Sequence, residues 1–442
     1  MSEVAMAMKT KIIIIVAIVF VVAFITFGLI SFRPIPMKVN WNKVKKIDSN
    51  VKYLAAGEGE NKTDAQALVK LNADGTIDAS PWKVLQFSDM HLSHELDTTN
   101  NTIDHFIDAL NKEKPDFVAI TGDVITRKGG RPRAKQLAEI FEKMGIYWGY
   151  VLGNHEGDSD PFTVSRKEVV KILSSYPHCL TQNDVKKTAS GEKVWGNGNF
   201  VVNLLGADYS LTQSLIFVDS GNKISSADAK KLNVRKGSYD YLKESQMTWY
   251  KEQVEKAISQ NAKTMLFLHI PLVEQSYAKF IKVGTPKDDG WYFAKNSELS
   301  VNGALLGSTI VKDGWNLIEG TASYEKCYCS DYNNGMYDLM KSLRAGVNAL
   351  FCGHDHINST VLYENYDNAL EKPVYLCYAT CSGIQGYSLY KYGLSGTSKY
   401  TMRGYNIINV NADKTFDLYS VLYDVDYAMI PRVLSSDPVV HA

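Results

Sequence analysis

The stretch Val84–Asp89, followed by Met90 and His91, reads V-L-Q-F-S-D-M-H and decides how this 442-residue chain folds. It begins as an apolar, strand-like run and stops at a carboxylate and an imidazole two residues apart. Both side chains would be costly inside a buried strand unless a partner stabilised them. Reactive groups are commonly presented on the loops that follow rigid strands. The stretch therefore predicts a buried strand that delivers Asp89 and His91 to a functional site.

The same pattern recurs four times downstream. Each further apolar run ends in side chains of metal-ligand type: Phe117–Ile120 before Gly122-Asp123, Ile146–Leu152 before Asn154-His155-Glu156, Met265–Leu268 before His269, and Ala349–Cys352 before His354-Asp355-His356. Five of the 9 histidines lie in these motifs. Any single motif is weak, but their conjunction indicates a metal site. The seven candidate ligands are Asp89, His91, Asp123, Asn154, His269, His354 and His356.

Oxygen ligands mixed with imidazole nitrogens suit borderline cations such as Zn, Mn and Fe. One ion would not use seven ligands, whereas two ions that share a bridging carboxylate, at a separation of roughly 3.5–4 Å, would do so. The sequence has no glycine-rich phosphate loop and no dinucleotide fingerprint. We therefore expect two divalent metal ions, of unknown identity, as the cofactors.

Strand-like and helix-like segments alternate, which is typical of parallel βαβ units. The expected helices are Asn101–Asn111, Ala134–Met144, Val164–Ser174, Tyr239–Ser259 and Asp338–Ala345. Phe200–Leu205 and Ser214–Asp219 read as a hairpin, and Val374–Thr380, Tyr405–Val410 and Phe416–Tyr423 read as antiparallel strands. Residues 273–334 show little periodicity and are expected to form a cap or insertion loop.

The set D-M-H, G-D, G-N-H-E, H-I-P-L and G-H-D-H, in this order, resembles the calcineurin-like metallophosphoesterase superfamily over residues 82–360. Within it, S-D-M-H, G-N-H-E and H-I-P-L are most similar to the purple-acid-phosphatase-like branch. The resemblance implies an α/β fold, an αββα sandwich of two mixed β-sheets flanked by helices. It also implies that Asp123 bridges two metals.

By the same resemblance Asp89, His91, Asp123 and His356 would hold the first metal, and Asn154, His269 and His354 would complete the second. His155 would stand over the leaving group as the catalytic proton donor or as a charge stabiliser. The cations would lower the pKa of a bridging water, so that hydroxide attacks phosphorus in line. We expect Glu156 to be a structural partner rather than a base. Asp355 is expected to point away from the metals, and Asp219 could reach the site or serve a turn.

The chain departs from true purple acid phosphatases at two positions. Thr126 stands where they place a metal-binding tyrosine, and His91 stands where they have a non-ligand. The resemblance therefore implies no tyrosinate-to-iron colour, and it leaves the identity of the first metal open.

Three functions are compatible with these residues. The leading hypothesis is a membrane-anchored phosphomonoesterase that acts on a phosphorylated small molecule or phosphoprotein. The alternatives are a phosphodiesterase of the sphingomyelinase-like type and a non-catalytic binding protein on the same fold. Diesterases of that type often read H-I-P-P, whereas Leu272 follows Pro271 here, which favours monoesters. A binding protein that no longer uses its metal site should have lost metal ligands, and none of the candidate ligands is missing.

Composition excludes some partners. Lys+Arg and Asp+Glu both number 48, so no basic excess indicates a nucleic-acid partner. Six cysteines are too few for a disulfide scaffold, and no C-x-x-C pair indicates a structural zinc site. Cys352 is expected to be a buried core thiol. Cys327 and Cys329 are expected to bridge to distant partners.

The N-terminal region is expected to hold the chain in a membrane. Residues 12–30 carry no charge and only one polar side chain. A segment of this length is long enough to span the hydrocarbon core as a helix. We expect an uncleaved signal anchor at 12–31. The positive-inside rule would leave the large domain in the cytoplasm. The short N-terminal tail and the sequons at Asn61, Asn100 and Asn358 favour an extracellular or lumenal domain, which we expect.

The chain is therefore divided into a tail over 1–11, the anchor over 12–31, a stalk and lead-in over 32–80, one phosphoesterase domain over 81–430 that includes the cap at 273–334, and a tail over 431–442.

Overall fold

The structure is a computed structural model that describes residues 2–31, 35–158, 163–301, 303–365, 373–389, 400–425 and 428–432. The helices are α1 (Ser2–Ser31), α2 (Leu96–Glu113), α3 (Gly130–Met144), α4 (Arg166–Leu173), α5 (Ser226–Lys231), α6 (Glu244–Ser259) and α7 (Met336–Ser342). The strands are β1 (Val51–Leu54), β2 (Ala67–Lys70), β3 (Trp82–Phe87), β4 (Phe117–Thr121), β5 (Trp148–Val151), β6 (Phe200–Leu205), β7 (Leu211–Phe217), β8 (Lys263–Phe267), β9 (Ala278–Lys282), β10 (Trp291–Val301), β11 (Ala304–Lys312), β12 (Trp315–Leu317), β13 (Val347–Cys352), β14 (Val361–Glu364), β15 (Tyr375–Tyr378), β16 (Gly404–Val410), β17 (Phe416–Leu422) and β18 (Ala428–Arg432).

Two large mixed sheets dominate the domain. One has six strands in the order β18-β17-β16-β3-β4-β5, and the other has nine in the order β1-β2-β6-β7-β8-β13-β15-β14-β12. In the first, β3, β4 and β5 are parallel and β16 joins β3 antiparallel. In the second, β7, β8, β13 and β15 are parallel and β6 is antiparallel. The candidate ligands follow five of these parallel strands, β3, β4, β5, β8 and β13.

The sheets face each other across an apolar core. Phe117 and Ala119 of the first sheet pack with Phe217, Phe267 and Phe351 of the second. Such burial contributes about 1.5–3 kcal/mol for each large side chain. Helices α2, α3 and α4 cover the outer face of the six-stranded sheet, and α6 and α7 cover that of the nine-stranded sheet. The predicted mixed α/β sandwich is confirmed.

The predicted helices are present with shifted ends. Helix α3 ends where expected, because Gly145 adopts the left-handed conformation with φ 72°. Helix α6 begins five residues later than the expected Tyr239, since the side chain of Gln246 accepts a hydrogen bond from the backbone N–H of Lys243 (2.9 Å) and fixes the helix start there. Tyr239 is thereby left outside the helix.

Residues 273–334 are not a structureless loop. They contain the separate sheet β10-β11-β9 and the edge strand β12. The pairing of β10 with β11 shifts register between Phe293 and Glu298 and again between Leu299 and Ser300. Each shift reverses which side chains face inward, so the alternation typical of a strand is absent from the sequence.

Two further expectations need correction. The segment 32–80 is not only a stalk, because Val44 and Ile47 are buried in the core beneath α2 and α3, and β1 and β2 extend the nine-stranded sheet. Strand β15 is not simply antiparallel, since it pairs parallel with β13 and antiparallel with β14. The predicted tail 431–442 lies outside the described residues except for Pro431 and Arg432, which belong to β18.

The N-terminal segment is helical in α1, which includes most of the tail predicted over 1–11. Among the described residues, no helix has the length and apolar character that a membrane span requires. The expected anchor is therefore not confirmed. Two of the three sequons have buried side chains: Asn61 is 0% exposed, and Asn358 is 3% exposed. The Asn61 amide donates to the carbonyl groups of Ala55 and Ala65 at 2.8 Å.

Candidate dimetal centre

The candidate ligands follow the ends of five parallel strands. Asp89, Asp123, His269 and His354 each stand two residues after the last residue of β3, β4, β8 and β13, respectively, and Asn154 stands three residues after the end of β5. Open α/β sheets bind ligands beyond the carboxyl ends of their strands. Because the two sheets pack face to face, these strand ends lie close together, and side chains that are far apart in sequence converge there.

Asp89, His91 and His356 form the first group of possible metal ligands, each offering an atom within 4.8 Å of the others. The Nε2 atoms of His91 and His356 are 3.1 Å apart. The Oδ1 atom of Asp89 lies 3.7 Å from Nε2 of His356.

Asp123, His269 and His354 form the second group by the same measure. The Nδ1–H of His269 donates to the carbonyl oxygen of Thr121 at 2.7 Å, which turns Nε2 toward the site. That Nε2 lies 3.1 Å from Oδ1 of Asn154 and 3.2 Å from Nδ1 of His354.

The Asp123 carboxylate joins the two groups. Its Oδ2 atom lies 3.2 Å from Nε2 of His269 in the second group and 3.9 Å from Nε2 of His91 in the first. The seven side chains predicted from the sequence are thus brought to one place, with the predicted bridging carboxylate between the groups.

These residues fit divalent cations. The ligating nitrogens of two imidazoles on one cation lie about 3.0–3.4 Å apart, from octahedral to tetrahedral angles, when each metal–nitrogen distance is about 2.1 Å. The two imidazole contacts, at 3.1 and 3.2 Å, fall in this range. Within the part of the chain that is described, the buried atoms Asp89 Oδ1, His354 Nε2 and His356 Nδ1 have no hydrogen-bond partner. A buried polar atom without a partner is unfavourable. Coordination would satisfy the Asp89 oxygen.

Three of the histidines have pKa values that favour metal binding. Burial lowers the pKa of His91 to about 4 and holds the pKa values of His354 and His356 well below their usual range. Their neutral rings have a free lone pair, the form that binds a metal. Desolvation by itself lowers the pKa of His269, but the buried Asp123 carboxylate outweighs it and raises that pKa to about 9.

Four of these residues have a left-handed backbone, with φ 54° at Asp89, 46° at His91, 53° at Asp123 and 85° at His354. For residues other than glycine this conformation costs roughly 1–3 kcal/mol each. Backbone hydrogen bonds hold the turns in place. The N–H of Asp89 donates to Gly122 O (3.0 Å), and that of His91 donates to Asp123 O (2.9 Å).

Glu156 holds the bridging residue from behind. Its carboxylate is 0% exposed and accepts four backbone hydrogen bonds. The N–H groups of Asp123 and Gly153 donate to Oε2 at 3.0 and 2.6 Å, and those of Val124 and Ile125 donate to Oε1. These four contacts hold backbone of the ligand loops, which agrees with the structural role expected from the sequence.

Two glycines allow the loops to approach each other. A Cβ on Gly153 would lie 2.2 Å from Oδ1 of Asp123, and one on Gly353 would lie 1.9 Å from Oγ of Ser88. The glycines that precede Asn154 and His354 in the motifs are therefore required by close approach.

His155 stands over the centre without joining either ligand group. Its backbone N–H donates to Oδ1 of Asp123 at 2.7 Å, and its ring centroid lies 5.3 Å from that of His91. The side chain is 44% exposed, and Nδ1 lies 2.8 Å from Oδ1 of Asp158. Desolvation lowers the pKa of His155, but Asp158 and Asp123 outweigh it and raise that pKa to about 9. The ring therefore holds a proton at neutral pH and faces solvent.

The comparison with known families agrees with this geometry. The family profile described as "Calcineurin-like phosphoesterase" matches residues 83–358, more than half of the chain. The chain belongs to the calcineurin-like phosphoesterase family.

Curated relatives of this chain include "Probable inactive purple acid phosphatase 28" of Arabidopsis thaliana, 26% identical over 72% of this chain and 73% of the relative. "Phosphatase DCR2" of Saccharomyces cerevisiae is 25% identical over 80% of this chain and 57% of the relative. Among solved structures, a dimetal phosphatase from Danio rerio aligns with a TM-score of 0.42 and 10% identity, over 81% of this chain and 98% of that one.

The chain has a cleft of about 520 Å³ over the candidate centre. Besides candidate ligands, it is lined by Glu95, Thr126, Arg127, His155, Asp158, Tyr239, Tyr328, Asp355, Gln385, Gly386 and Tyr387. Leu272 is not among them; it is buried in the core beneath α6 and α7. The sequence argument for monoesters from H-I-P-L therefore has no counterpart in the cleft.

The sequence interpretation missed three residues of the cleft, and Asp158 is the first of them. Its position three residues after His155, in an acidic G-D-S-D run, is a weak signal. Tyr239 and Tyr387 were also missed. The ring of Tyr387 stacks on His356 with centroids 4.6 Å apart, and that of Tyr239 meets His354 edge-on at 4.4 Å.

Asp219 and Asp355 support the site from outside the ligand groups. Asp219 accepts hydrogen bonds from the backbone N–H of Asn197 and from the guanidinium of Arg166, which also donates to the carbonyl of Gly153. Asp219 was expected either to reach the site or to serve a turn. These contacts agree with a structural role in the turn rather than with a place among the ligands. Oδ2 of Asp355 accepts from the hydroxyl of Tyr378 at 2.6 Å, so this oxygen is turned away from the ligand groups.

Proposed function

We propose that the chain is a hydrolase of phosphate monoesters that works with two divalent cations, Mn, Fe or Zn, held by the seven candidate ligands. The observation that carries this proposal is the position of Asp123, whose Oδ2 atom lies between Nε2 of His91 and Nε2 of His269. When bound, the cations would supply an activated water and positive charge for the phosphoryl oxygens.

Each side chain has a distinct part in this proposal. Asp89, His91 and His356 would hold one cation, and Asn154, His269 and His354 would hold the other, with Asp123 shared. His155 would donate its proton to the oxygen of the leaving group, which is a poor leaving group as a bare alkoxide. Asp158 keeps that ring oriented and protonated.

The names of the relatives point in two directions. The Arabidopsis proteins are called inactive, whereas the yeast relative is called a phosphatase. An inactive descendant is expected to lose ligands, because nothing then maintains costly left-handed and buried groups. This chain has all seven candidates in contact distance, which supports catalysis, and the yeast name supports a phosphatase.

The test is a paired assay on purified full-length protein loaded separately with Mn, Zn or Fe. Hydrolysis of an aryl phosphomonoester in clear excess over the matching diester would support the proposal. The Asp123→Asn variant should lose turnover together with bound metal. Asp116→Asn, a carboxylate at the opposite end of β4, should retain both. A diester preference would replace the proposal with a phosphodiesterase, and full metal content without turnover on either ester would leave a binding protein.

We propose separately that residues 12–31 anchor the protein in a membrane, with the catalytic domain on the extracellular or lumenal side. The support is the uncharged run within α1. Resistance of the full chain to carbonate extraction, and protection of the domain from protease in sealed vesicles, are the expected results. Complete release by carbonate would refute the anchor, and digestion of the domain in intact vesicles would refute the orientation.

A further inference from the structure

A pair of thiols lies beside the cleft. Cys327 and Cys329 flank Tyr328 in the loop between β12 and α7, and all six cysteines of the chain are free thiols. The expected bridges to distant partners are therefore wrong. The two cysteines instead stand close to each other, because one residue separates them in the same loop. Cys327 is buried, with its sulfur 3.2 Å from the hydroxyl oxygen of Tyr378, whereas Cys329 is half-buried.

The residue between the thiols is connected to the candidate centre in two ways. The ring of Tyr328 lines the cleft and is 40% exposed. Its backbone N–H donates to Oδ2 of Asp355 at 3.1 Å. Asp355 stands between two candidate ligands, His354 and His356. The hydroxyl of Tyr378 contacts both Asp355 and Cys327, so one tyrosine links the thiol pair to the ligand loop.

We propose that Cys327 and Cys329 form a reversible disulfide that regulates the site above them. The regulatory part rests on the proposed function, whereas the thiol chemistry does not. The oxidant is a low-molecular-weight disulfide. The thiolate of Cys329 attacks one sulfur of that molecule and releases one thiol. Cys327 then attacks the Cys329 sulfur of the mixed disulfide and releases the second. The cysteine pair loses two electrons and two protons, and the small disulfide becomes two thiols.

The environments of the two sulfurs suit this order. The hydrogen bond from Cys327 lowers the pKa of Cys329, and burial holds the pKa of Cys327 well above its usual range. The accessible thiol is thus the one that more readily becomes the attacking thiolate. The buried thiol can react only with a sulfur brought to its side, and Cys329 is one residue away.

We expect closing the pair to move Tyr328. Two residues of extended chain span about 6.6–7.2 Å between Cα atoms, whereas disulfides usually join Cα atoms about 4.4–6.8 Å apart. A bridge across one residue therefore favours a more bent backbone at Tyr328. The bend would displace the backbone N–H of Tyr328, which donates to Asp355, and the Tyr328 ring, which lines the cleft. Strained disulfides are readily reduced, which makes the change reversible.

The experiment uses the full-length, metal-loaded protein incubated with increasing ratios of oxidised to reduced glutathione. Peptide mass mapping should show a peptide that contains Cys327 and Cys329 and lacks two hydrogens. Hydrolysis of the aryl phosphomonoester should fall about tenfold or more, since small displacements in an active site have effects of this size. Dithiothreitol should restore both. Cys327→Ser and Cys329→Ser variants should keep their activity under oxidation, and Cys179→Ser, a remote buried thiol, should respond as the wild type does.

The outcomes separate this inference from the proposed function. Mapping on wild-type protein tests the disulfide even if the protein hydrolyses no ester or a variant fails to fold. Glutathione adducts at Cys329 without an internal bridge would overturn the proposal. An internal bridge that leaves both turnover and metal content of an active enzyme unchanged would overturn the regulation. In a protein without turnover, metal release on bridging would support coupling, and unchanged metal content would refute it.

Discussion

Removing the charge of Glu156 should destabilise the protein, because its carboxylate accepts four backbone hydrogen bonds. In Glu156→Gln one carboxylate oxygen becomes an NH₂ group, which would face two backbone N–H donors. Two of four charge-assisted hydrogen bonds are then lost, at about 1.5–3 kcal/mol each. Water cannot replace them, because Glu156 is 0% exposed. We expect the free energy of unfolding to fall by about 3–6 kcal/mol, a large part of the 5–15 kcal/mol that is usual for a domain.

The assay is denaturant unfolding of metal-free wild-type and variant protein, followed by measurement of metal content after reloading. Metal affinity should fall with stability, because the donors that would be released belong to the loops of Asp123 and Asn154. Glu142→Gln is the matched control. That carboxylate also accepts a backbone N–H, from His178 at 2.8 Å, but it is 24% exposed, so water can substitute. A Glu156→Gln protein with wild-type stability and metal content but little turnover would refute the reasoning and make Glu156 part of the chemistry.

Further predictions concern the proton donor, the ligands and the metal. His155→Ala should lower turnover about 10²–10⁴-fold with metal content unchanged, and loss of metal there would make His155 a ligand. Asp158→Asn should lower turnover roughly tenfold and move the alkaline limb of the pH–rate profile to lower pH; an unmoved profile would show that Asp158 does not act on His155. Metal binding near neutral pH should release protons, because His269 has a pKa of about 9 and must lose its proton to coordinate a metal. The affinity for metal should therefore fall as the pH falls below that value. Calorimetry in buffers of different ionisation enthalpy measures this release, and its absence would contradict the assignment of His269. Iron-loaded protein should show no tyrosinate charge-transfer band in the visible spectrum, since Thr126 has no phenol to offer; such a band would mean that a tyrosine binds the metal.

The main strands and the identity of the seven candidate ligands could be predicted, because each lies directly after an apolar run. The carboxyl ends of parallel strands share an edge of a sheet, so local sequence is enough to predict convergence there. Asp123 is an example: its strand, its glycine and its position are all visible in a few residues.

Contacts between distant segments could not be predicted in this way. Arg166 joins Asp219 to the carbonyl of Gly153, and no local pattern connects these three positions. Irregular register hid β10 and β11. The start of α6 was misplaced because the hydrogen bond between Gln246 and Lys243 decides it, and Tyr239 was consequently not recognised as a residue of the cleft.

Anomalous scattering from crystals of the metal-loaded protein would locate the cations directly. Two anomalous peaks are expected, one beside Asp89, His91 and His356 and the other beside Asn154, His269 and His354, with the Asp123 carboxylate between them. A single peak, or two peaks that do not share Asp123, would contradict the proposed dimetal centre.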